Sequence, residues 1–362
     1  MADDTPPHGY TYPNTSDDPD QQDVLRNRFG YRTHSQLRID EYRITSERLV
    51  EIELGHGPAG RFDADHLKDI HRFLFSAVYE WAGHTRDERP IVDGQPVEPV
   101  GGLHKGGTSF LHGSRIGMGL EEALRPIREP ESLKNTTYAE FAGVGGRVLS
   151  ELNYVHPFRE GNGRTQEAVI AELGRHVGHD VDFSVISKPR MIAASIAAVN
   201  DPDHPAMREL VEDAVDPARA RALREAFSSL RQHGENPYEH DVRTARPGEM
   251  VSGTVLGKGD DTASLVTQHG IVAVPIAELS PAQLAREDDV TVTVRSGFAA
   301  RADARRTSRA AETDPSDQAR AYWQRAAESG AAIRQAERQA RAGEGQGAGE
   351  EVASRPGRYR AR

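Results

Sequence analysis

Between about Leu25 and Val215 apolar side chains recur mostly at helical spacing, most clearly in "DADHLKDIHRFLFSAVYEWAG". Leu67, Ile70, Phe73, Leu74, Val78 and Trp81 share one face there, Asp63 or Asp65 can cap the start, and Gly83 can stop the run. "ESLKNTTYAEFAGVGGRVLSELNYVHPF" predicts a second helix with Phe141, Val148, Leu149 and Leu152 inward, although its three glycines argue against an unbroken run. A third helix begins within "GNGRTQEAVIAELGRHVGH" and ends near Gly178, and "KPRMIAASIAAVN" gives a fourth. Between the first two lies "ERPIVDGQPVEPVGG", where Asp93-Gly94 flanked by Ile91, Val92 and Val97 predicts a tight hairpin. Prolines 90, 96 and 99 make its strands edges.

After Asp216 the period changes. "DPARARALREAFSSLRQHGENP" reads as a connecting helix within 216–240. "GEMVSGTVLGKGDDTASLVTQHGIVAVPIAELS" and "DDVTVTVRSG" then alternate β-branched and polar residues between Gly and Asp turns. Four or five short strands over 241–300 suggest a small OB-like β-barrel. The Pro- and Asp-rich residues 1–20 are expected to be disordered, 21–215 to form a helical domain, and 301–362 a charged helix with a disordered tail. The fold class is therefore mainly α, with a β-hairpin and a β unit behind it.

Composition narrows the chemistry. With no cysteine among 362 residues, disulfides and thiolate metal sites are excluded. No apolar run reaches the roughly 18–20 residues of a membrane span, and the start lacks a secretory pattern. The net charge of −11 argues against broad nucleic-acid binding. A cytoplasmic protein with no membrane partner is expected. His176 and His179 lack a carboxylate at ligand spacing and read as a solvated helix end.

The densest chemistry lies in "HPFREGNGRTQE", His156 to Glu167. Pro157 should push His156 out of the preceding helix into an extended conformation. Phe158 can bury and anchor the loop. Gly161 and Gly163 permit a nest of inward N–H groups opening into a helix N-terminus, which favours an anion. Arg164 adds a forked cation suited to phosphate, Asn162 an amide donor, and Glu160 a carboxylate for Mg²⁺. His156 is a base for a hydroxyl near neutral pH. Together these predict transfer of a phosphorus-containing group from a nucleotide to a hydroxyl.

The run resembles the Fic signature H-x-F-x-[D/E]-G-N-G-R-x-x-R, through His156, Phe158, Glu160, Gly161, Asn162, Gly163 and Arg164. "YTYPNTSDDPDQQDVLRNRFG", "IHRFLFSAVYEWAGHTR" and "LNYVHPFREGNGRTQ" are similar to segments of that family, in its order, so the likeness covers about residues 10–215. The OB-like segment behind is similar to the Fic-plus-OB arrangement of bacterial toxins and Bartonella effectors. The resemblance implies a helical Fic fold and adenylylation, the movement of AMP from ATP to a Ser, Thr or Tyr hydroxyl of a target protein. It gives His156 the role of base and Glu160 that of Mg²⁺ ligand. Gly161, Asn162 and Gly163 would bind phosphate, and Arg164 would stabilise the leaving pyrophosphate. It also makes the hairpin of 88–100, with Ile91, Val92, Asp93, Gly94 and Val97, a flap that docks the target by strand addition.

One position departs. The signature's last arginine, which meets the γ-phosphate, is Glu167 here. Two like charges some 4 Å apart at an effective dielectric near 20 repel by about 4 kcal/mol. Three outcomes follow: weakened ATP binding, a donor less charged at that end, or a catalytically silent relative that binds protein. Arg175 and Lys188 are candidates for a replacement cation. The family's inhibitory motif, [S/T]-x-x-x-E-[G/N], is absent. Control by a separate small antitoxin, or none of this kind, would follow. The C-terminal arginines read first as a solvated helix, while a basic tail is also what type IV secretion systems recognise.

Overall fold

The computed structural model describes residues 9–105, 108–286 and 288–298. The helical part comprises α1 (His34–Glu53), α2 (Ala64–Phe75), α3 (Ile116–Leu124), α4 (Tyr138–Val155), α5 (Asn162–Val177), α6 (Lys188–Asn200), α7 (Ala206–Val215) and α8 (Pro217–Gln232). Two short hairpins, β1 (Ile91–Val92) with β2 (Gln95–Pro96) and β3 (His104–Lys105) with β4 (Thr108–Ser109), lie between α2 and α3. Strands β5 (Val242–Thr244), β6 (Met250–Lys258), β7 (Thr262–Thr267), β8 (Gly270–Pro275) and β9 (Val290–Thr293) follow, with a one-turn α9 (Pro281–Leu284) before the last. Among the described residues no helix is long and apolar enough to cross a membrane. The helix and tail expected over 301–362 lie outside the described residues, as do residues 1–8 of the expected loose N-terminus.

Helix α2 starts as the sequence predicts, with the Asp63 carboxylate accepting from the His66 N–H at 3.0 Å. It stops at Phe75, well short of Gly83. Side chains two apart on a helix point about 200° apart, so a longer α2 would send Tyr79 and Trp81 to opposite faces. Turns over 76–83 bury both rings and stack them at 4.4 Å. Residues 9–20 are also less loose than their composition suggests. Tyr10 is buried edge-on against Trp81, and Thr11 bridges Leu25.

Helix α4 runs unbroken through its glycines, opened by a capping box between Thr137 and Glu140. Gly146 explains part of the pattern. A Cβ there would lie 2.6 Å from the Arg208 Cα, so the glycine lets the α4 and α7 backbones touch. Helix α1 was not singled out from the sequence because Glu41, Thr45 and Ser46 interrupt its buried face.

Asp93 and Gly94 take φ of 50° and 76°, the left-handed pair that a type I′ turn requires, and register Val92 opposite Gln95. The five C-terminal strands form one open sheet in the order β5-β8-β7-β6-β9. Only β5 and β8 are parallel. No ladder joins β9 to β5 among the described residues, so the closed barrel expected from the strand pattern is not seen. The main hydrophobic core runs from the helices through α8 to Val242, Ile271 and Ala273 of the sheet. A smaller core built from Val251, Leu265 and Val274 is separate from it.

Gly143 and Gly146 should therefore respond oppositely to alanine. Gly143→Ala meets nothing within 4 Å and should raise stability by about 0.5–1 kcal/mol through helix propensity. Gly146→Ala should lower it by about 1–3 kcal/mol. Urea unfolding of both variants measures the pair.

Candidate active site

The loop between α4 and α5 is shaped by a few residues that leave it little freedom. His156 caps α4 with φ 46° and ψ 59°, left-handed and not extended as Pro157 alone would favour. Its N–H stays bonded to the Leu152 carbonyl at 2.9 Å while its own carbonyl is turned into Arg86 Nε, also at 2.9 Å. Phe158 is buried and stacks on His71 with ring centroids 3.8 Å apart. Asn162 folds the loop on itself. Its Oδ1 accepts from the Phe158 N–H at 2.9 Å and its Nδ2 donates to the Phe158 carbonyl at 2.8 Å. The amide that the sequence offered to phosphate thus has a structural task.

Gly161 is fixed twice over. Its φ is 83°, and a Cβ would lie 2.5 Å from the Phe75 ring. It forms the N-cap of α5, where backbone N–H groups face outward without a side-chain cap. Gly163 is exposed and a Cβ there would meet nothing within 4 Å, so this end of the helix is open to a ligand. Glu160 sits alongside, with its Oε1 accepting from the Gly161 N–H at 3.0 Å.

Arg164 reaches across to α1. It is ion-paired with Glu41, donates to Thr45 Oγ1 at 3.1 Å, and lies 3.9 Å from the Glu160 carboxylate. Burial works against its charge, but Glu41, Tyr42 and Glu160 outweigh burial and hold the guanidinium above its ordinary pKa. Glu41 also accepts from the Tyr79 hydroxyl. Glu41 escaped sequence reasoning because α1 shows no clean apolar face against which a buried acid would stand out.

Two further residues set the loop's position. His71 is fully buried, and burial pushes it down to about 3, so its ring is neutral. Its Nδ1 accepts from the Gly83 N–H at 2.8 Å, which leaves Nε2–H to donate to the Glu160 carbonyl at 3.0 Å. Arg86, also fully buried, donates to the carbonyls of His156, Val100, Gly101, Leu111 and Val155. Its backbone N–H holds the Pro157 carbonyl at 2.8 Å. One side chain therefore fastens the histidine loop to the hairpin segment.

The His156 ring is 9% exposed and stacks on Phe110 at 3.9 Å. Phe110 directly follows β4. The hairpin that leads into this contact is thus β3–β4, which the sequence pattern did not single out. The expected flap residues sit elsewhere. Val92 and Val97 are buried, Ile91 is exposed, and Asp93 pairs with Arg26 at 2.7 Å.

These parts have known counterparts. The Fic/DOC family profile matches residues 61–173. A solved chain described as the type IV secretion system effector protein BepA is 30% identical, with a TM-score of 0.70 over 81% of this chain and 98% of its own. The chain belongs to the Fic/DOC family. A Bartonella henselae protein named protein adenylyltransferase is 31% identical over 280 residues, which are 77% of this chain and half the length of that relative. BepC from Bartonella tribocorum, solved with bound AMPPNP, is 31% identical with a TM-score of 0.52 over 57% of this chain and 96% of its own.

Within this Fic chain, Glu167 lies one helical turn beyond Arg164. Burial raises its carboxyl to about 7, against the opposing pull of Arg164. The full repulsion expected from an ionised carboxylate is thus reduced near neutral pH. Of the two candidate replacements, Arg175 pairs with Glu172 at 3.5 Å, whereas Lys188 lines the same cavity as Arg164 and Glu160.

Two measurements follow. The folded chain holds the Glu167 proton to about pH 7, while the unfolded chain releases it near 4.5. Stability should therefore fall as pH rises through that window, by up to about 3 kcal/mol. Glu167→Gln should lack this loss, so urea midpoints of the two proteins should agree near pH 4 and diverge by pH 8. Separately, Phe110→Ala should uncover the His156 ring and speed its modification by diethyl pyrocarbonate several-fold, read at that residue by peptide mass spectrometry.

Proposed function

We propose that this Fic chain is a protein adenylyltransferase that moves AMP from ATP to a Ser, Thr or Tyr hydroxyl of a target protein. The observation that carries the reading is the open α5 N-terminus at Gly161–Gly163, with Arg164, Glu160 and His156 on one tightly held loop. The names of its relatives and the AMPPNP in the BepC structure support it.

In this reading the α5 N–H groups and Arg164 bind the nucleotide phosphates. His156 accepts the proton of the target hydroxyl, whose oxygen attacks the α-phosphorus. The new oxygen–phosphorus bond forms as the α–β phosphoanhydride bond breaks, and pyrophosphate leaves. Among the described residues no three acids or histidines cluster as a metal cage. A single carboxylate suits Mg²⁺, which binds through one or two carboxylates together with substrate phosphates and water. Glu160 would hold it, and the ion would neutralise charge on the phosphates.

Because the His156 ring is covered by Phe110, the β3–β4 segment must yield before a hydroxyl arrives. That hairpin, rather than residues 91–97, is the better candidate for docking an extended target segment by strand addition. The open sheet, with its OB-like strand pattern, would serve as a second docking surface.

The test is incubation of the full chain with Mg²⁺, cell lysate and ATP labelled at either the α- or the γ-phosphorus. Label from the α-position should reach protein and fall at least 100-fold in His156→Ala. Transfer of the γ-label alone would mean phosphorylation, and no transfer from any nucleotide would identify a silent binder.

A further inference from the structure

Glu167 leaves the helix α5 site one cation short, yet a neighbouring cavity is rich in cations. This cavity, of about 540 Å³, is lined among others by Arg38 and Glu41 of α1, by Arg159, Glu160 and Arg164 of the loop and α5, and by Lys188 at the start of α6. Four cations, Arg38, Arg159, Arg164 and Lys188, face three carboxylates, the third being Asp23. Two of those acids are engaged by neighbours. Glu41 is held by Arg164 and the Tyr79 hydroxyl, and Asp23 accepts from Asn14 Nδ2 at 3.2 Å.

Arg38 stands out. Its Nη1 is buried but has no hydrogen-bond partner among the described residues. An unsatisfied buried donor on a charged group costs on the order of 1–3 kcal/mol, so a protein retains one most readily where a ligand completes it. A guanidinium that lines a cavity together with Arg164 fits an oxyanion of high charge, and phosphate above all.

We propose that Arg38 and Lys188 together hold the terminal phosphate of a nucleoside triphosphate, supplying from α1 and α6 the charge that position 167 does not. The proposal rests on the nucleotide site read above at the α5 N-terminus. It makes the triphosphate chain run from that terminus into the cavity. It also makes these two residues the determinants of triphosphate over diphosphate, while the grip on the α-phosphate stays with α5.

Calorimetric titration of the full chain with Mg²⁺ and ATP, ADP or AMP tests it. Wild-type protein should bind ATP more tightly than ADP. Arg38→Ala and Lys188→Ala should each weaken ATP binding about tenfold, weaken ADP binding less than threefold, and leave AMP binding as it was. Lys188 is exposed, so its variant keeps the test alive should Arg38→Ala fail to fold. An unchanged ATP-to-ADP ratio in a folded Lys188→Ala would overturn the inference and leave the nucleotide site standing. Absence of any nucleotide binding to wild-type protein would overturn both. Equal weakening for all three nucleotides would show a general effect on the site and defeat the assignment to the last phosphate.

Discussion

The buried guanidinium of Arg86 is the contact on which the geometry of this site depends. An arginine removed from water ordinarily needs an acid, and here its side chain is surrounded by main-chain carbonyls instead. Those carbonyls belong to the residues before the β3–β4 hairpin, the residue after Phe110, and the histidine itself. Burial depresses the charged form, with Asp87 opposing, and the forked donors find main-chain carbonyls on every side. The histidine's left-handed backbone is a consequence of this arrangement, since its carbonyl must turn toward Arg86 while its N–H still closes α4.

Part of the loop's construction was legible in sequence because it rests on residue types with narrow physical uses. Glycine with positive φ, proline after a cap, and an acid seven residues before another acid are all visible as letters. The roles inside the loop were less legible. Asn162 looked like a ligand-binding amide, but both ends of its amide are engaged by the main chain of Phe158. Glu41 and Arg38 were invisible for another reason. They lie more than a hundred residues upstream on a helix with mixed faces, and only folding brings them to Arg164.

Elements went the same way. The Asp93-Gly94 turn was readable because it has a strict backbone requirement. The end of α2 was not, because it is decided by the need to bury Tyr79 and Trp81 together, a tertiary demand that overrides the local period. Sheet closure was similarly out of reach. Alternation predicts strands, but which edges meet depends on twist and on what covers them, and here α8 lies against the sheet.

Helix α8 has a consequence for engineering the chain. Its apolar residues join one continuous core with α7 on one side and with β5 and β8 on the other. Cutting after the helical portion would strip Leu223, Ala226, Phe227 and Leu230 of part of their cover, leaving an apolar stump in place of a clean helical fragment.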